Sequence, residues 1–276
     1  MIDTKGYEVL FEKKSDPQVD LGHRYVDRYR TRRVDAGPMR YIEVYPVLRA
    51  WEGAGRAREK RRASREAQRR LNERNARKKI EWLFNENFCE KDLFATFTFA
   101  RRVEEGEARD AVRKLIRRAR AYAKRDTSGK SGEIKYIYVI EGKVRADEVE
   151  RFHVHMVISG IGRDALEGMW EHGYANTRRL QPDENQYTGL AKYMTKQRRF
   201  ARRWSCSKNL RRPREWVADH KISKRRVERL AAEARYAAAE IFEKVYPGYR
   251  LIEEPEIRVS DYVPGAFIYA RMRRRD

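Results

Sequence analysis

From Arg151 to Ser159 apolar and polar side chains alternate: Phe152, Val154 and Met156 are apolar, and His153 and His155 stand between them. Successive side chains of a β-strand point to opposite faces of its sheet. The segment therefore reads as a strand with one covered face, and both imidazoles share the other. Two imidazoles on one face can share a metal ion. Further on, Ala191-Lys192-Tyr193-Met194-Thr195-Lys196 places a lysine three residues after a tyrosine.

The surrounding pattern constrains the fold. Phe94-Ala95-Thr96-Phe97-Thr98-Phe99 alternates too, with Ala95, Phe97 and Phe99 on one face and the threonines on the other. Residues 107–123 follow a helical period, which predicts Ala108, Val112, Leu115, Ala119 and Tyr122 along one buried stripe. Asp126 to Gly132 reads as a loop, and Lys135–Glu141 as a strand joined to the histidine strand by a short, hairpin-like connection. A short helix over 164–172, ended by Gly173, then a strand over 174–180 and a helix over 189–197 complete the series. The order strand–helix–strand–strand–helix–strand predicts an α+β fold, an antiparallel sheet with a ferredoxin- or RRM-like split βαβ core. Outside it, Met39–Tyr45 suggests a hairpin strand, residues 56–84 a long basic helix, and Ser223–Val245 a helix before a β-like tail through Phe267-Ile268-Tyr269.

The candidate chemistry follows from these placements. Glu141 lies on the face of Ile137 and Val139 at the end of its strand, where a hairpin brings its carboxylate beside His153 and His155. Two histidines and a carboxylate leave coordination positions open for water and phosphate oxygens. That set suits Mg²⁺ or Mn²⁺ when a phosphate completes the shell, and Zn²⁺ remains an alternative. The other histidines, His23, His172 and His220, show no ligand spacing. Tyr193 and Lys196 fall on neighbouring faces of one helical turn. A phenol has a pKa near 10, so a nearby ammonium and a metal-polarised phosphate are what it needs to act as a nucleophile. Tyr187 is not expected to share the face of Tyr193, because six residues turn a helix by about 240°.

These motifs together resemble the HUH endonuclease superfamily, in particular the rolling-circle replication initiators of bacterial plasmids and phages. Phe94–Phe99 looks like the family's first motif, Phe152-His153-Val154-His155 its His-hydrophobe-His motif, and Tyr193-Met194-Thr195-Lys196 its YxxK motif. Glu141 corresponds to the acidic residue often found on the preceding strand, and Trp204–Leu210 with Pro213 resembles a segment of the bacterial initiators. The resemblance implies nicking of single-stranded or hairpin origin DNA by Tyr193, with Lys196 assisting. A 5′-phosphotyrosine link and a free 3′-hydroxyl for rolling-circle synthesis would result, and later rejoining of the strands. It implies a host helicase and polymerase as partners and a bacterial cytoplasm as the setting. A single-tyrosine transposase or relaxase on the same fold is the alternative in chemistry. A non-catalytic nucleic-acid-binding module, with Tyr136, Tyr138 and the Phe94–Phe99 strand as stacking platforms, is the alternative in class. The expected organisation is a β-like segment over 1–55, a basic helix over 56–86, the nuclease core over 87–215, and a C-terminal helix and β-like tail over 216–276.

Composition agrees with a polyanionic partner. The chain of 276 residues carries 64 Lys+Arg against 42 Asp+Glu, a net charge of +22 and a sequence pI near 10.1. From Lys196 to Arg214 there are nine Lys/Arg and no acidic residue, with Phe200 and Trp204 among them. Arg198, Arg199, Arg202, Arg203, Trp204, Lys208, Arg211 and Arg212 are thus candidates for contact with the strand beyond Tyr193, cations on phosphates and the aromatic on a base. Two cysteines make no disulfide framework and suit a reducing compartment. Neither a signal peptide nor a membrane span is expected. Thr127-Ser128-Gly129-Lys130-Ser131 is not a P-loop, since position 124, where the motif needs its first glycine, is Lys.

Overall fold

The computed structural model describes residues 24–50, 65–125, 133–145, 148–196, 204–260 and 263–275. In chain order the first elements are β1 (Arg24–Ala36), β2 (Met39–Ala50), α1 (Arg65–Asn87), β3 (Leu93–Phe99) and α2 (Glu105–Arg125). They are followed by β4 (Tyr136–Arg145), β5 (Glu148–Ile158), α3 (Arg163–Gly168), β6 (Gly173–Arg179), α4 (Thr188–Met194) and β7 (Ser205–Cys206). The last are β8 (Arg214–Asp219), α5 (Lys224–Val245), β9 (Tyr249–Leu251), β10 (Glu256–Ser260) and β11 (Val263–Arg274). Contacts divide the chain into two units, residues 83–212 and residues 1–82 with 213–276.

The unit over 83–212 carries the motifs. Its sheet has the order β6-β3-β5-β4-β7, and every pair is antiparallel. The series β3-α2-β4-β5-α3-β6 with this order is the split βαβ arrangement, so the α+β expectation holds. One face of the sheet is covered. Phe97 and Phe99 of β3 and Phe152, Val154 and Met156 of β5 pack with Val112, Leu115 and Ala119 of α2 and Leu166 of α3.

Several boundaries differ from the sequence pattern. β4 continues to Arg145, so Glu141 lies within a strand and not at its end. In the last turn of α2 Ala123 is buried and Tyr122 is 42% exposed, which takes Tyr122 off the buried stripe. α3 stops at Gly168 because the next turn carries Trp170 into the core, 5.0 Å from the rings of both Phe97 and Phe99. Gly173 therefore does not end the helix; it opens β6, with φ of +144°. A Cβ there would meet the Thr98 carbonyl oxygen at 2.4 Å and the Ala100 nitrogen at 2.5 Å, so only glycine admits this approach of β6 to the end of β3. The expected loop over 126–132, the Thr127–Ser131 turn within it, and residues 56–64 of the long basic helix lie outside the described residues.

The second unit is built on a six-stranded antiparallel sheet, order β10-β11-β2-β1-β8, with β9 also paired to β11. β1 and β2 form a hairpin, and Ile268 of β11 pairs with Val44 of β2, which joins the two ends of the chain in one sheet. Val227, Leu230, Ile241 and Phe242 of α5 bury one of its faces, starting from a Ser223 cap that accepts from the Arg226 amide. Elsewhere in this unit Glu43 is wholly buried between Arg32 (2.9 Å) and Lys78 (2.8 Å). Burial pushes its carboxyl upward, and the attraction of Lys78 and Arg32 outweighs that and holds it below the usual range. Among the described residues no helix is long and apolar enough to cross a membrane.

Gly173→Ala should destabilise the protein by about 1–3 kcal/mol, since the strained backbone and the β3 contact must both give way. Urea denaturation against wild type measures this, and a change within about 0.5 kcal/mol would refute the packing argument.

Candidate active site

The other face of the motif-bearing sheet is a grid set by strand register. Thr96 lies opposite His155 and Thr98 opposite His153. Each threonine Oγ1 is hydrogen-bonded to the Nδ1 of its partner, at 3.1 Å in both cases. On the other side of β5, Glu141 lies opposite His153, and its Oε2 reaches diagonally to within 3.3 Å of His155 Nε2. Phe94 stacks on the His155 ring, centroids 5.8 Å apart and planes 8° from parallel. Arg178, opposite Phe94 on β6, holds its guanidinium 5.1 Å from the Phe94 ring centroid.

α4 delivers the tyrosine to this face. The Tyr187 amide at its start donates to Asn85 Oδ1 at 3.2 Å, and Ala191 and Met194 are buried on its inner side. Tyr193 is 47% exposed, yet its Oη stands 3.2 Å from His155 Nε2. Its ring meets those of His155 and Phe94 edge-on, with centroids 5.0 and 6.2 Å away. Burial raises the Tyr193 phenol above its ordinary pKa, the Glu141 charge adds to this, and Arg178 opposes it. Beside the phenol lies an open cleft of about 540 Å³, bounded among others by Phe94, Asn176, Arg178, Gln186 and Tyr187. Tyr187 is itself buried, which pushes its phenol well up.

The remaining sequence candidates fare differently. α4 ends at Met194, where the Thr195 hydroxyl donates to the Ala191 carbonyl at 2.7 Å. Lys196 therefore lies beyond the helix, exposed, with its amide turned back onto the Tyr193 carbonyl at 3.2 Å. The helix is shorter than the 189–197 expected, but that hydrogen bond still closes one turn from Tyr193 to Lys196. Arg198, Arg199, Arg202 and Arg203 lie outside the described residues. Trp204 is half-buried and Lys208, Arg211 and Arg212 are exposed. Their segment is clipped to the sheet: Ser205 and Cys206 pair with β4, the Ser207 amide donates to the Tyr136 carbonyl (2.9 Å), and the Arg211 amide donates to Asn87 Oδ1 (2.7 Å). The stacking platform is not where the sequence suggested. Tyr136 and Tyr138 point to the α2 side and Phe97 and Phe99 are buried there, so of the expected rings Phe94, stacked on His155 and lining the cleft, is the one on the histidine face.

For a metal, the donor chemistry fits. With each Nδ1 held by a threonine, Nε2 is the ligand atom left on His153 and His155, and second-shell bonds of this kind orient imidazole ligands. Among the described residues, however, no three His, Cys, Asp or Glu side chains are gathered into a ligand group; the close pair is His155 with Glu141. Thr96, Thr98, Phe94, Arg178 and Asn85 were not read as site residues. The threonines' alternation was visible, but their partners are set by β3–β5 register, and Arg178 and Asn85 act from strands and helices remote in sequence.

Residues 92–198 match the family model of replication-associated proteins of the ORF2 and gene-2-protein type. The segment is thus similar to Rep-type, replication-associated proteins. It begins just before β3 and ends beyond α4, so it contains Thr96, Thr98, Glu141, His153, His155, Tyr193 and Lys196. No curated protein and no solved structure matches the chain significantly.

Within the matched segment, removing the Glu141 charge removes one of the causes that raise the Tyr193 phenol. Glu141→Gln should therefore lower the Tyr193 pKa in metal-free protein. Ultraviolet difference titration, with Tyr193→Phe to assign the signal, reads the shift; an unchanged or raised value would contradict the contact.

Proposed function

We propose that this protein is a metal-dependent DNA nicking and joining enzyme that initiates rolling-circle replication, with Tyr193 as nucleophile. The observation that carries the reading is the position of Tyr193 Oη, 3.2 Å from His155 Nε2 beside Glu141, within a replication-associated domain. In the proposed step Tyr193 Oη attacks the phosphorus of a scissile phosphodiester in single-stranded or hairpin origin DNA. The bond from phosphorus to the 3′ oxygen breaks, leaving a 5′-phosphotyrosine, and the departing 3′ oxygen takes up the proton that the phenol loses, giving a 3′-hydroxyl. The hydroxyl primes a host polymerase, a host helicase opens the duplex, and reversal of the chemistry rejoins the strands. The setting is the bacterial cytoplasm.

His153, His155 and Glu141 would hold Mg²⁺ or Mn²⁺. Such an ion supplies charge that polarises the phosphate and offsets the developing negative charge. His155 Nε2, which the Tyr193 hydroxyl approaches at 3.2 Å, would be one of the atoms that hold the ion. The raised pKa of Tyr193 supports this division of labour, because the neighbouring carboxylate alone opposes ionisation of the phenol. Lys196, just past the helix, would bring an ammonium to the phosphate, and Lys208, Arg211 and Arg212, with the arginines over 198–203, would line the strand's path.

Mixing the protein with Mn²⁺ and origin-derived single-stranded oligonucleotides should give a covalent adduct that survives a denaturing gel. Tyr193→Phe should abolish it, Tyr187→Phe should leave it intact, and a chelator should prevent it. Lys196→Ala should slow it about a hundredfold or more, the usual cost of losing one charge-stabilising group. No adduct from wild type, or an equal adduct from Tyr193→Phe, would sink the proposal.

A further inference from the structure

On the covered side of the motif-bearing sheet, away from His153 and His155, α2 carries a feature that nicking does not use. Residues 113–125 contain seven Lys/Arg and no acidic residue. Four of these, Arg113, Arg117, Arg120 and Lys124, recur at helical spacing and are exposed. They flank the buried stripe of the helix and overhang β4, over a distance of about 16 Å at 1.5 Å per residue. Below them stand Tyr136 and Tyr138, rings 6.1 Å apart, and the stripe and the rings bound an open cleft of about 600 Å³. Arg120 donates to Tyr136 Oη at 3.3 Å, and its guanidinium lies 5.6 Å from that ring's centroid. Arg113 has an exposed partner in Asp110 at 2.8 Å, a pairing worth little in water. A smaller cleft, with Arg109, Tyr138 and Trp204 on its walls, continues toward β7; there Arg109 is paired with Glu105.

A solvated helix face needs charge of either sign and no floor. This one has a single sign, a cleft and aromatic rings within the row of cations. Cations follow phosphates, and rings offer stacking surfaces that only unpaired bases can use. We propose that the Arg113–Lys124 stripe, with the half-buried Tyr138 on its floor and Tyr136 buried beside it, is a track for single-stranded DNA, separate from the cleft beside Tyr193. The choice of DNA rests on the replication reading above; the track itself rests on the stripe and its cleft.

The test compares wild type with a variant carrying Arg113→Gln, Arg117→Gln, Arg120→Gln and Lys124→Gln, substitutions that keep helix propensity. Binding of a long labelled single strand is followed by fluorescence anisotropy over a range of salt. The variant should bind at least tenfold more weakly at low salt, and its log–log salt slope should be shallower by about 2–3, near 0.7 per lost cation. Adduct formation on a minimal oligonucleotide should be unchanged. If the fourfold variant fails a circular-dichroism check of folding, Arg117→Glu, on an exposed side chain, should still weaken long-strand binding several-fold. An unchanged affinity and slope would overturn the track, as would an equal loss of affinity for blunt duplex, which would make the surface a duplex contact. The two readings fail separately. Adducts with an unchanged slope remove the track alone, and a reduced slope without adducts in wild type removes the nicking reading alone.

Discussion

Burial of Phe152, Val154 and Met156 against α2 is the constraint on which the site depends. Because side chains alternate along β5, covering those three forces His153 and His155 to the opposite face. A slip of one residue in register would turn both imidazoles into the core and three apolar groups into solvent, at a cost of several kcal/mol. The same alternation acts on the neighbouring strands. It places Thr96 and Thr98 on one side of the histidines and Glu141 on the other, so that one hydrophobic seam orients the whole polar grid.

Within that grid electrostatics define what the phenol can and cannot do unaided. Tyr193 lies against an imidazole and near a carboxylate, and burial together with that carboxylate holds it protonated above its ordinary range. Arg178 opposes the effect from β6 but does not reverse it. In the proposed reaction a phenol so placed would need positive charge from a bound ion and from the phosphate's other partners. The two threonine contacts bear on the same point, since each occupies an Nδ1 and leaves an Nε2 for the reacting side.

Local pattern made much of this legible. Strict alternation over Phe94–Phe99 and Arg151–Ser159 marked two strands, and the element order indicated a split βαβ sheet, which the observed strand order matches. Local pattern was less informative where a tertiary contact outweighs it. Trp170 leaves the helical path because Phe97 and Phe99 offer it a buried seat, and that shortens α3 and moves Gly173 to the start of a strand. α4 stops at Met194, which leaves Lys196 just past the helix, and in the last turn of α2 Ala123 takes the buried place expected of Tyr122. Tyr136 and Tyr138 looked like free aromatic platforms, but strand parity sends them under α2, where they floor a row of cations.

By itself the sequence determined which side chains share a face, because that follows from backbone periodicity: His153 with His155, Thr96 with Thr98, and the apolar set behind them. It also determined a strong excess of positive charge. Only the tertiary structure decided which of these faces meet. The β3–β5 and β4–β5 registers assign Thr96 to His155 and bring Glu141 to within 3.3 Å of it, and Asn85 anchors the start of the helix that carries Tyr193. Those relations depend on residues far apart in the chain. Their distances are set by how a shared core packs, which no local pattern encodes.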